Sequence, residues 1–202
     1  LPFYGDDELA RLHSAIRVAL PLLPALAASS PFVEGRHRGV LDQRLVFYRD
    51  NQRRVPSIGG GVIPEVIRSE TEYRERILEP MYRDIAPYDT AGALQHEWLN
   101  SRGAIVRFDR KAIEIRLLDS QESPRADLAV ADLVTRTVRA LVEERCAPLA
   151  QLDALGTAAL AGLLDRCIRD ASQAPVALPE LTRCFGWRAA GATAGALWRH
   201  IA

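Results

Sequence analysis

The sequence predicts an α+β domain in which an antiparallel sheet is packed by helices and followed by a helical C-terminal appendage. Two observations point there. The run Ala112-Ile113-Glu114-Ile115-Arg116-Leu117-Leu118-Asp119 alternates, so an extended backbone sends Ile113, Ile115 and Leu117 to one face and Glu114 and Arg116 to the other. Several other stretches repeat apolar residues at helical spacing behind clear start signals. At 202 residues and 48% hydrophobic content, the chain can bury one substantial core.

In chain order, Asp6 or Asp7 is placed to cap a first helix carrying Leu9, Leu12, Ile16 and Leu20, with bends expected at Pro21 and Pro24. From Phe32 to Pro64 the periodicity fails, and Gly35, Gly39, Pro56 and Gly59-Gly60-Gly61 mark a long irregular region. Long ordered loops of this kind are usually functional. Within it, Leu41 to Arg49 fits a short helix or a short strand. Ser69 and Glu72 form a capping box ahead of a scaffold helix with Tyr73, Ile77, Met81 and Ile85. Gly103 to Phe108, the polar Asp109-Arg110-Lys111 and Ala112 to Leu118 read as a hairpin. Ser123 caps and Pro124 opens a long helix striped by Val130, Leu133, Val134, Val138, Leu141 and Val142. Past Pro148, Leu160, Leu163, Leu164, Cys167 and Ile168 mark another helix, and Leu178 to Phe185 and Thr193 to Ile201 two short ones.

Composition excludes several classes of function. The 26 basic and 26 acidic residues balance, so no global field draws the chain to nucleic acid or membrane. Lys111 is the sole lysine, an arginine bias that weakens every single-arginine argument. Three widely spaced cysteines, Cys146, Cys167 and Cys184, match neither metal nor redox spacing and fit a reducing cytoplasm. No apolar run reaches the ~20 residues of a membrane helix. The start at Leu1-Pro2-Phe3, without methionine or signal peptide, reads as a processed or truncated product.

The motifs are mostly bland. Gly59-Gly60-Gly61 lacks the Lys-Ser or Lys-Thr of a phosphate loop and reads as a turn. His96-Glu97 lacks a second histidine at helical spacing, and Ser29-Ser30 lacks the glycines of a nucleophile elbow. The cluster Arg36, Arg38, Arg44, Arg49, Arg53 and Arg54 suits a solvated loop or a site for carboxylate or phosphate groups, and less well a nucleic-acid patch, since aromatic interleaving is limited to Phe47 and Tyr48 and no recognition motif is present. Glu114 and Arg116 taken alone suit a surface ion pair on a half-exposed sheet.

Read together, three segments resemble the carboxylate-amine ligase branch of the glutamate-cysteine ligases. They are Leu20 to Gly35, with its Ser29-Ser30-Pro31-Phe32 turn; Gly39-Val40-Leu41-Asp42-Gln43-Arg44; and Ala112 to Asp119 with Asp127-Leu128-Ala129 beyond it. The resemblance covers about residues 1–144. It implies a glutamine synthetase-related fold whose antiparallel sheet cups ATP and Mg2+ or Mn2+. It also implies a reaction in which ATP phosphorylates the side-chain carboxylate of glutamate and an amine, typically that of cysteine, displaces phosphate, as in glutathione biosynthesis. Glu114 matches the family's metal-binding strand carboxylate, and Arg116 the arginine directed at ATP phosphate. Arg44 matches the loop arginine, a candidate for gripping a substrate carboxylate, and Arg102 is a further substrate-binding candidate by position.

The family's glutamate-bearing first strand and its His-x-His strand have no counterpart here, so the chain resembles the C-terminal half of such an enzyme. Residues 1–148 then read as part of the catalytic domain and 149–202 as a helical appendage of it. The expected partners are small molecules, glutamate and an amine, with no nucleic acid or membrane; a homo-oligomer is compatible with this reading. The alternative is a non-catalytic module that keeps the sheet and uses its arginine loop to hold an acidic partner.

Overall fold

The computed structural model describes residues 1–202. The chain is α+β, with two small antiparallel sheets among many helices, rather than one broad sheet. Helix α1 spans Gly5–Ala19 and passes through a single 3-10 turn at Leu20–Leu22 into the short α2, Pro24–Ala27, so the prolines bend the path as expected. The expected cap differs. The N-cap is Tyr4, and Gly5 takes φ 71°, while Asp6 reaches across to accept from the Glu70 N–H at 2.9 Å. An acid in the first turn of α1 thus satisfies the start of a different helix.

Strands β1 (Phe32–Val33) and β2 (Arg36–His37) form a tight exposed hairpin, and α3 (Gln43–Asp50) follows. Asp42 decides between helix and strand for this segment: its carboxylate accepts from Leu45 N–H at 2.9 Å, an N-cap that starts a helix. Ser69 caps α4 (Glu70–Tyr73), which continues through a π turn at Arg74–Leu78 into α5 (Glu79–Ile85). Tyr73, Ile77, Met81 and Ile85 are all buried, as the spacing requires.

The second hairpin pairs β3 (Ala104–Arg107) with β4 (Ala112–Ile115), Ile105 opposite Glu114. Leu1 to Phe3 run antiparallel along the other edge of β4, with Ile113 N–H donating to the Leu1 carbonyl at 2.8 Å and Phe3 N–H to that of Lys111 at 2.9 Å. Lys111, at φ 47°, makes the turn. At Gly103 a Cβ would sit 2.7 Å from Leu117 Cδ1, so the chain entering β3 requires glycine there.

Ser123 caps α6 (Pro124–Val142), which lies along α1. Helices α7 (Leu149–Asp153), α8 (Thr157–Asp170), α9 (Pro179–Cys184) and α10 (Ala194–Ile201) complete the chain. The expected appendage shares its core with everything before it. Leu160, Leu163, Leu181 and Trp198 belong to one cluster of 44 buried residues with Leu9, Ile16 and Ile113. Polar ties reinforce this: Trp198 Nε1–H donates to the Leu22 carbonyl at 2.8 Å, and Leu41 and Asp42 N–H both donate to the Ile168 carbonyl at 3.1 and 3.0 Å.

Candidate functional site

The hairpin carries Glu114 and Arg116 out of the core as the alternation predicts. Ile113 and Leu117 are buried and Ile115, expected on the same face, is only partly buried, whereas the Glu114 and Arg116 side chains are 41% and 25% exposed. Arg116 Nε donates to Glu114 Oε1 at 3.0 Å, and Arg107 Nη1 approaches Oε2 at 3.4 Å from the facing strand. Arg116 Nη1 donates to the Asn100 carbonyl at 3.1 Å, which fixes the plane of the guanidinium. Asn100 is itself buried and donates to the Tyr73 hydroxyl at 2.7 Å, tying this edge to the scaffold helix. Arg107 also lies 3.5 Å from Glu97 and from Asp109. Burial, with Asp109 nearby, raises the Glu97 carboxyl above its ordinary value.

The three segments that sequence reading grouped are brought together at one residue that reading did not single out. Asp119, nearly buried, accepts from the Ser29 N–H at 2.9 Å, from the Ser30 hydroxyl at 2.7 Å, and from Arg44 Nε. Arg44 Nη1 then donates to the Arg116 carbonyl at 3.3 Å. The Ser-Pro turn, the arginine of α3 and the end of β4 are thereby joined as one unit. Asp42, also fully buried, faces the same Ser30 hydroxyl at 3.5 Å, and burial pushes its carboxyl up to about 6. The available signal for Asp119 was local: an acid at the end of an apolar strand run has to find donors when that run is buried.

The two expected substrate residues differ in setting: Arg44 lines a cavity with its side chain 37% exposed, and Arg102 lies in the interior. Arg44 has its head turned inward to Asp119, and its Nη2 is buried. Arg102 is 3% exposed and makes a two-pronged pair with Glu65, Nε to Oε2 and Nη2 to Oε1, both 2.7 Å. Its Nη1 donates to the Ser57 carbonyl at 3.1 Å. Burial alone would raise Glu65, but the Arg102 hydrogen bonds and charge outweigh it and hold the carboxyl below its ordinary value. Arg102 also explains the glycine run. Gly60 has φ 52°, and a Cβ there would lie 3.1 Å from the guanidinium, so the turn cradles an arginine instead of a phosphate.

Beside the open pair lies a cavity of about 370 Å³ between the β1–β2 hairpin and α3. Tyr48 connects the two: it lines this cavity, its hydroxyl donates to the Arg102 carbonyl at 3.2 Å, and Arg116 acts on its phenol. Burial raises that phenol above its ordinary value and the arginine partly offsets the rise.

An accessible carboxylate and an accessible guanidinium on a rigid hairpin suit the anionic end of a nucleotide. A divalent cation fits less well. Glu114 is one carboxylate already facing two arginines, and these 202 residues contain no group of three or more His, Cys, Asp or Glu at metal-binding spacing. Glu114 offers a single ligand, and the chain alone does not enclose a cation.

This site sits within a chain that belongs to glutamate-cysteine ligase family 2, whose sequence profile matches residues 4–199. An uncharacterized protein of Archaeoglobus fulgidus is 45% identical over 144 residues, which is 71% of this chain and 39% of that protein. The chain therefore spans well under half of that relative's length. No solved structure matches. No helix is long and apolar enough to cross a membrane.

Proposed function

We propose that this chain supplies one wall of an ATP-dependent ligase site that joins the side-chain carboxylate of glutamate to an amine, cysteine being the amine that the family's name indicates. The observation that supports the reading is the convergence on Asp119, which locks three sequentially distant family-like segments around an open Glu114 and Arg116. ATP would supply the phosphoryl group that turns a poor acyl donor into an acyl phosphate. The amine lone pair then forms the C–N bond, the C–O bond to phosphate breaks with its electron pair on phosphate, and the nitrogen loses a proton.

In this scheme the Arg116 guanidinium stabilises negative charge gathering on phosphate oxygens, and a preorganised donor does this at low reorganisation cost. Asn100 fixes one edge of Arg116 and Glu114 orients the other. Glu114 would offer a single carboxylate toward a Mg2+ or Mn2+ accompanying the nucleotide, the remaining ligands lying outside these residues. Arg102 acts as a strut, its head committed to Glu65, while Arg44 braces Asp119 through Nε and keeps an unpaired Nη2 and a place in the cavity wall. The test is phosphate release from ATP that depends on both glutamate and an amine, measured on the full-length protein. Arg116→Met should lower it roughly 100-fold; release that is unchanged in the variant, or independent of glutamate, contradicts the reading.

A second reading rests on the arginine loop. Arg36, Arg38, Arg53 and Arg54 are exposed and pair with no carboxylate, Arg54 lying 4.8 Å over the Tyr88 ring instead. A non-catalytic module would use them to hold an acidic partner. It predicts binding of an acidic peptide that falls steeply with salt and no glutamate-dependent phosphate release.

A further inference from the structure

We infer that the cavity between the β1–β2 hairpin and α3 is the acceptor pocket, and that it selects a primary amine bearing an apolar side chain of leucine or phenylalanine size over cysteine. This rests on the ligase reading for the reaction, while the pocket itself is read from its walls. Phe32, Val33, Phe47 and Tyr48 supply apolar or aromatic surface, and Phe32 and Phe47 are 64% and 50% exposed, Phe32 meeting the His37 ring edge-on at 5.7 Å. Its volume of about 370 Å³ lies within the range of small-molecule pockets and exceeds what the mercaptomethyl side chain of cysteine fills.

Charge supports an amine that reacts in its neutral form. The only charged lining residue is Arg44, and no carboxylate lines the cavity to hold an ammonium. A guanidinium in the wall disfavours the protonated amine, and the neutral form is the nucleophile. Position supports the acceptor role. Arg44 belongs to the cavity wall and donates through Nη1 to the Arg116 carbonyl at 3.3 Å, so the cavity adjoins the segment that carries the open pair. Two other cavities, about 390 and 490 Å³, are formed largely by the C-terminal helices and are lined by none of the residues that touch Glu114 or Arg116.

The test is calorimetric titration of the whole protein with phenylalanine, leucine, cysteine and serine in the absence of ATP, on wild type and on Phe47→Ser. Phenylalanine or leucine should bind about tenfold or more tighter than cysteine and serine, and Phe47→Ser should remove most of that preference while cysteine affinity stays the same. Phe32→Ser gives the same reading should the first variant melt early. Cysteine binding as tightly as leucine, no apolar amino acid binding, or an unchanged preference in both variants overturns the proposal. The outcome is separate from the ligase reading, which stands or falls on glutamate-dependent phosphate release.

Discussion

Two arginine–carboxylate pairs in this chain use the same chemistry in opposite surroundings. Arg116 and Glu114 meet through one hydrogen bond at 3.0 Å on a half-exposed sheet face, while Arg102 and Glu65 meet through two at 2.7 Å with the arginine 3% exposed. The buried pair is fully spent on structure. Its arginine also holds the Ser57 carbonyl and fills the cradle at Gly60, and at 3% exposure it offers no face to a ligand. The open pair keeps surface on both partners, and only such a pair can exchange its mutual contact for phosphate. Solvent access, more than residue type, separates strut from site.

The comparison breaks most sharply at the buried pair. Glu65→Ala leaves the Arg102 guanidinium in the interior without its counter-charge and should cost about 3 kcal/mol, the low end for a broken buried pair since Glu65 is a third exposed. Denaturant unfolding measures it, and a loss near zero would mean that water reaches Arg102. Asp119→Ala removes the acceptor of three donors from two other segments and should cost about 2 kcal/mol, with a further loss of phosphate release because the Arg116 backbone is no longer braced through Arg44. Gly103→Ala drives a Cβ against buried Leu117 and should cost about 1–2 kcal/mol. At the open pair, Glu114→Gln should change stability by less than about 1 kcal/mol, since a partly exposed ion pair contributes little to folding.

The same contrast has a pH signature. His13 is buried in α1, lies edge-on to Tyr73, and has its pKa lowered to about 4, chiefly by burial and then by Arg17. Below its unfolded pKa near 6.5 the unfolded chain takes up the proton first, so this residue makes the fold less stable as pH falls from about 6.5 to 4. Asp42, raised to about 6, acts oppositely: the folded chain binds the proton first, so it adds stability as pH falls from about 6 toward 4. The two should largely offset one another in wild type. Asp42→Asn should therefore steepen acid destabilisation between pH 6 and 4, read as melting temperature against pH, and His13→Leu should flatten or reverse it.

How much of this was legible in the sequence follows from distance along the chain. The alternation that exposes Glu114 and Arg116 is local, as are the Ser69, Ser123 and Thr193 caps, and each lies where reading placed it or its helix. The family resemblance likewise agrees with the profile match. What stayed hidden depends on partners far away. Asp119 finds Ser29 across 90 positions and Arg44 across 75; Arg102 finds Glu65 across 37. Nothing in the neighbourhood of Arg102 says that a glycine turn and a glutamate will close over it. Asp6 looks like a cap and is one, but for α4 instead of α1, because tertiary proximity to Glu70 decides which N–H it meets.

The central claim is that Glu114 is chemical and not structural. Isothermal titration of the full-length protein with ATP and Mg2+, wild type against Glu114→Gln, tests it most directly when paired with a melting curve. The account predicts a melting temperature within about 3 °C of wild type, together with nucleotide affinity in Mg2+ lowered roughly tenfold or more. Unchanged affinity in a folded Glu114→Gln protein would contradict it.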